Sequence, residues 1–328
     1  MGKLEEIREM QKTLLAFFAT AVATTPVFAD QINVVVDIPP VHGIVQGVLG
    51  DNATITTLMD GGTDPHTYAM KPSHADALSN ADLVVVIGAS LTPSLVEKIP
   101  ALAGNAKFIE LEDVAGVHLI EYTDSHDDQR DHDAHDDDHN DDHDKHHDDH
   151  DTHHDGHDDH DHMGTDPHIW LDIDNASVWA HHVKQIASKM HPDLHNSLHD
   201  NLVRFEQSLS SIKEIISQID AKPYAVSHDA FGYLEDAFGI DQPEAVTNGM
   251  GLRPSPRDMA KLREEIEHTK PACMIIDPND HTALAYSLAE EYQIKTVVYS
   301  QLGEVIEGEN AYLKLMNQAA KAFNTCFE

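Results

Sequence analysis

The chain has 328 residues, long enough for one large or two medium domains with their own cores. Its formal charge of −37 repels phosphate backbones and so excludes nucleic acid as a partner. Hydrophobic residues make up 41%, somewhat below the globular norm, because one segment dilutes them: Asp124 to His162 holds 18 Asp against Arg130 and Lys145, a net of −16, with 13 of the 26 His.

The N-terminus reads as a targeting segment. Leu14 to Val27 is apolar but too short to span a bilayer as a mature helix, and VFA before Asp30 suits cleavage after Ala29. Residues 1–29 are therefore expected to be a signal peptide. The acidic EEIRE ahead of the apolar run is wrong for a positively charged start, which makes Met10, followed by Lys12, the better initiation residue. No Cys follows the cleavage point, so the expected product is exported and soluble, with no lipid anchor.

Short apolar, β-branched runs come next: INVVVD (32–37), ATITTLM (53–59), ADLVVVIG (81–88) and AKFIEL (106–111). They are continuous rather than alternating, as in strands buried on both faces. Helix-like stretches separate them: HGIVQGVLG, KPSHADALSN and SLVEKIPALAG. Strand alternating with helix predicts a parallel sheet, giving an N-terminal α/β lobe over 30–172 that includes the Asp/His segment 124–162.

A helical region follows over 173–220. After Pro192 the apolar positions Leu194, Leu198, Leu202, Phe205, Leu209, Ile212, Ile216 and Ile219 recur every three or four residues. This spacing predicts a helix to Ile219 of about 28 residues, roughly 42 Å long, which exceeds a crossover helix and reads as a rigid rod joining two lobes. The α/β alternation then restarts over 221–328: PYAVSH (223–228), FGYLEDAFG, PEAVT, a capped helix from Ser255, ACMIID (272–277), another helix and KTVVYS (295–300). Two such lobes leave a cleft at their C-terminal strand ends, where α/β folds take ligands. Cys273 and Cys326 both fall in the second lobe. In an exported chain an even count predicts a disulfide, here closing about 54 residues and contributing ~3–4 kcal/mol.

One tetrapeptide occurs twice. TDPH ends at His66, in the Gly-rich MDGGTDPHTY, and again at His168, in GTDPHIWLD. A third histidine, His228, ends the strand PYAVSH. Proline beside His66 and His168 stiffens the loops that present the imidazoles. Taken singly, each of the three reads sooner as a hydrogen-bonded turn histidine than as a ligand. Together, at strand ends facing one cleft, three ordered imidazoles with an open fourth position suit zinc.

GGTDPHTYAMKPSHADALSNADLVVVIGASL, TDPHIWLD, SHDAFGYLEDAFG and YSQLGEVIEGENAYLKLM resemble, in order and spacing, the cluster A-I metal-binding proteins of ABC transporters. The likeness runs from about Ile32 to the end. The Asp/His tract and the Cys pair look like the zinc branch. The resemblance implies two α/β lobes joined by one long helix, three ligands at His66, His168 and His228, and Zn2+ as transported cargo. It implies a monomer in the periplasm that is not membrane-embedded and not an enzyme, with a zinc permease and its ATPase as partners. Two positions depart from relatives: Pro65 stands where some zinc members have Glu, and Ser300 where many manganese binders have an Asp ligand. The fourth position therefore falls to water, with Asp277 as a fallback ligand. The lost Asp also disfavours manganese, which prefers carboxylate oxygens.

The tract's composition forbids a core and predicts disorder. Its histidines (His126, His132, His135, His139, His143, His146, His147, His150, His153, His154, His157, His160 and His162) are expected to gather zinc weakly and exchange it fast, while the TDPH loops hold one ion tightly. Three imidazoles and a water on zinc also suit a hydrolase. Against that, no HExxH-type motif supplies a base, and the contiguous SHD at 227–229 cannot form a triad. A zinc buffer without a transporter partner is the remaining alternative.

Overall fold

The computed structural model describes residues 31–122, 164–280, 282–304 and 310–328. The expected signal peptide and the whole of the Asp/His tract, with its thirteen histidines, lie outside the described residues.

Each lobe is built on a four-stranded, all-parallel sheet. In the first, β1 (Ile32–Val36) leads into α1 (Pro39–Leu49), β2 (Ala53–Thr57), α2 (Pro72–Ser79) and β3 (Leu83–Val86). Two one-turn helices, α3 (Pro93–Val96) and α4 (Ile99–Leu102), precede β4 (Lys107–Glu110). Strand order is β2-β1-β3-β4. A short antiparallel pair, β5 (Glu121–Tyr122) and β6 (Gly164–Thr165), brackets the tract. Two long helices follow, α5 (Ile173–Met190) and α6 (His195–Ile216). The second lobe runs β7 (Ala225–His228), α7 (Gly232–Phe238), β8 (Glu244–Thr247), α8 (Pro256–Thr269), β9 (Cys273–Ile276), α9 (Thr282–Tyr292), β10 (Lys295–Val298) and α10 (Ala311–Phe327), in strand order β10-β9-β7-β8.

The continuous apolar runs are explained by parity. Val34, Val36, Leu83 and Val85 enter the main core, while Val35, Val84 and Val86 enter a satellite core on the opposite face. The second sheet repeats this, with Val226, Cys273 and Ile275 on one face and Ala225, Met274 and Ile276 on the other. Successive side chains point to opposite faces, so a strand covered on both must be apolar throughout. Two expected strands depart from this. β2 alternates between half-buried and exposed, and β10 is mostly exposed, with Val298 at 59%. Both are edge strands, which carry less cover.

The long helix is shorter than the periodicity predicted. Pro192–Leu194 forms a 3-10 turn and the helix itself spans 22 residues, about 33 Å. Its buried stripe is the expected one, from Leu198 through Leu202, Phe205, Leu209 and Ile212 to Ile216. SLVEKIPALAG is likewise two short turns rather than one helix: Pro100 lacks the N–H that a continuous helix would use there, and it sits in the first turn of the second, Ile99–Leu102, where none is needed. α10 also crosses between the lobes. It packs on β9 and β10 and on α1 and α6. Asn310 Nδ2 donates to Gly43 O (2.7 Å), and a Cβ on Gly43 would stand 2.1 Å from Tyr312 N, so only glycine permits this crossing. The main apolar cluster consequently runs unbroken from Ile32 and Val36 to Ile275 and Phe323.

Candidate metal centre

Both copies of the tetrapeptide fold alike at the backbone. Asp64 Oδ1 accepts from His66 N (2.9 Å), and Asp166 Oδ1 accepts from His168 N (2.9 Å). In each case the short carboxylate bonds the backbone two residues on, and Pro fixes the φ between them. This is why the same four residues recur: they make a rigid turn that ends in an imidazole. The side chains then differ. Asp64 spends its other oxygen on Thr67 Oγ1 (3.0 Å), whereas His168 Nδ1–H donates to Asp166 Oδ1 (2.7 Å). His66 Nδ1 is buried with no hydrogen-bond partner among the described residues.

The structure brings His66, His168 and His228 together. One ring nitrogen from each lies within 4.8 Å of the others, the only such group of three among the described residues. His168 Nε2 and His228 Nε2 are 3.1 Å apart. Tetrahedral zinc–imidazole bonds of 2.0–2.1 Å would set two nitrogens about 3.3–3.4 Å apart, so this pair stands close to coordinating distance. His228 Nδ1–H donates to Thr247 Oγ1 (3.2 Å), whose hydroxyl also meets Ser227 O and Asp280 Oδ2 (3.0 Å each). With both Nδ1 atoms donating outward, the two Nε2 lone pairs face inward.

His168 and His228 are buried and His66 is half-buried. Burial, with the neighbouring His168 ring adding to it, pushes His66 down to about 4. Burial likewise holds His228 well below the usual imidazole range, reinforced by His168 and His66. At neutral pH these two rings are free bases, the form that binds metal. They open on a pocket of about 130 Å3 whose wall includes Asp64, Asp277 and Asp280, which bias it toward cations.

Asp277 lines the pocket but stands outside the group of three. Its Oδ1 accepts from Asn279 N (2.8 Å) and its Oδ2 from Gln301 N (3.0 Å), and burial raises its pKa against those two bonds. Ser300 Oγ accepts from Gly303 N (3.2 Å). Sequence reasoning missed Asp166, Thr247 and Asn279. Only the first left a signal there, the Asp two residues before His in both tetrapeptides. Cys273 and Cys326 are disulfide-bonded, with Cα atoms 5.3 Å apart.

Comparison with known proteins bears on this centre. Residues 34–326 match the family described as zinc-uptake complex component A, periplasmic (ZnuA). The chain is 32% identical over 320 residues to the high-affinity zinc uptake system protein ZnuA of Paracoccus denitrificans, covering 96% of this chain and 97% of that protein. It is 26% identical over 323 residues to the protein of the same name in Brucella abortus, covering 95% and 97%. A crystal structure of ZnuA superposes with a TM-score of 0.72 at 19% identity, covering 91% of this chain and 100% of that one, a likeness of fold.

Proposed function

We propose, from the premise that the chain belongs to the ZnuA family of periplasmic zinc-uptake components, that it is a solute-binding protein capturing Zn2+ between its lobes for delivery to an ABC-type permease and its ATPase. The observation that carries this reading is the convergence of three imidazoles from both lobes, two of them with Nε2 atoms 3.1 Å apart. His66, His168 and His228 are the ligands. Water takes the fourth corner, with Gln301 Oε1, buried and without a hydrogen-bond partner among the described residues, as its acceptor. An all-nitrogen set favours zinc over manganese.

Residue roles follow from the surroundings. Asp166 and Thr247 orient His168 and His228 and fix the tautomer that turns each Nε2 lone pair inward. Low imidazole pKa values remove most proton competition at neutral pH. The acidic pocket wall draws the cation in. The tract collects zinc loosely in the periplasm, and the ordered turns hold one ion. The test is isothermal titration of His66→Ala, His168→Ala and His228→Ala, each of which is expected to lose the tight site and keep its fold by circular dichroism. Undiminished tight binding in any one removes that residue from the set.

A further inference from the structure

Asn279 stands exposed at the pocket rim, in the turn after β9. Its side-chain Nδ2 donates one hydrogen to Gly61 O (2.5 Å) and the other to Ser300 Oγ (3.2 Å). Gly61 belongs to the first lobe, 218 residues away in sequence, and to the loop that carries His66. There the two lobes meet at backbone contact: a Cβ on Gly61 would fall 1.6 Å from Gly303 O. The start of this loop is tied to its own sheet, Leu58 N to Val36 O and Met59 N to Asp37 O (2.9 Å each). Apart from the Asn279 bond to Gly61 O, the hydrogen bonds described from Asp60 to His66 are internal to the loop, Asp60 Oδ1 accepting from Thr63 Oγ1 (2.6 Å) and Asp64 capping the turn, so they move with it as a body.

The three imidazoles are held unequally. His168 has Asp166 and His228 has Thr247. His66 has no partner on Nδ1 among the described residues, so its place depends on where its loop is fastened. That fastening reaches the other two ligands through one hub. Asn279 N donates to Asp277, Asp277 N donates to Ser227 Oγ beside His228, and Gln301 N donates to Asp277 while Gln301 O accepts from Trp170 Nε1 (2.9 Å), two residues past His168.

We propose that Asn279 is a positioning residue that latches the His66 loop onto the second lobe, so that His66 joins the ion when the latch is closed and is the ligand surrendered first when it opens. This rests on the three-histidine reading of the site. An amide suits the task because one Nδ2 supplies two donors at once, to a carbonyl of one lobe and a hydroxyl of the other.

The experiment compares wild type, Asn279→Ala and Gly61→Ala as full-length protein carrying half an equivalent of zinc, so that only the tight site fills. A chelator chase reads the release rate, and X-ray absorption counts imidazoles on the metal. For Asn279→Ala, release is expected to become roughly tenfold faster and the count to fall from three toward two, while the melting temperature of metal-free protein stays put because the side chain is exposed. Adding His66→Ala to Asn279→Ala should then speed release less than it does in wild type, since both changes act through one ligand. Gly61→Ala, which wedges the same contact from the other lobe, should reproduce the loss; if that variant fails to fold, Asn279→Ala decides alone. Unchanged release and three imidazoles in Asn279→Ala overturn the latch. Fewer than three imidazoles in wild type overturn the reading of the site itself, and the latch with it.

Discussion

His66 and His168 end the same tetrapeptide but meet different surroundings. His168 donates its Nδ1–H to Asp166, while His66 is half-buried, with Nδ1 unmatched among the described residues, and is pushed down to about 4. A histidine depressed on folding contributes stability that is present above its unfolded value near 6.5 and lost as pH falls toward 4. Zinc, which takes only the free base, should shift that loss to lower pH. An NMR titration of the His66 ring in metal-free protein should therefore show a midpoint near 4; one near 6.5 would place the ring in water instead of the pocket. Asp166→Ala should lower zinc affinity about 10- to 100-fold, as loss of a carboxylate behind a ligating imidazole does, with calorimetry as the check. His66 and His168 were legible as a pair because a repeated turn motif is local. Thr247 and Asn279 were not, since strand pairing and lobe contact bring them in from 19 residues or more away.

At the scale of elements, the strands of both sheets were legible because a strand covered on both faces writes an apolar run. The exceptions, β2 and β10, lie at edges, and which strand is an edge depends on sheet order, which no local run encodes. The stripe on α6 announced its buried face, but its start moved to His195, because Pro192 and Asp193 were absorbed into a tighter turn. The disulfide ties the first residue of β9 to the last turn of α10, the helix that crosses to the first lobe. Closing the 53-residue separation restricts the unfolded chain, so Cys326→Ser should cost about 3–4 kcal/mol. Urea denaturation of metal-free protein measures this. Zinc should still bind one to one, because the ligand turns do not hang on that bond; loss of the tight site in the variant would mean that α10 sets the lobe spacing at the metal.

For the whole molecule, the proposed function separates a rigid centre from an appended collector. Both lobes share one apolar core, which orders the backbone around the imidazoles and spares the ordering cost of roughly 1–2 kcal/mol per residue that a site on unstructured chain must meet. The tract departs from this frame at a paired stem. Tyr122 faces Gly164 and Glu121 faces Thr165, and Asp166 N donates to Ile120 O (2.8 Å). Tyr233 Oη, from the second lobe, clamps the same stem by accepting from Ile120 N (3.1 Å) and donating to Asp166 O (2.9 Å). Removing residues 125–162 would leave Thr123, Asp124 and Met163 between the paired Tyr122 and Gly164. Three residues are a common hairpin loop, so the stem, Asp166 and His168 should stay in place. Zinc stoichiometry by equilibrium dialysis is then expected to drop to one tight ion, with several weak ones gone. In the intact chain those weak ions should leave first as pH falls through the histidine range, because Asp neighbours favour the imidazolium form. Loss of the tight ion on deletion would mean that the tract itself supplies a ligand, and the separation of collector from centre would be wrong.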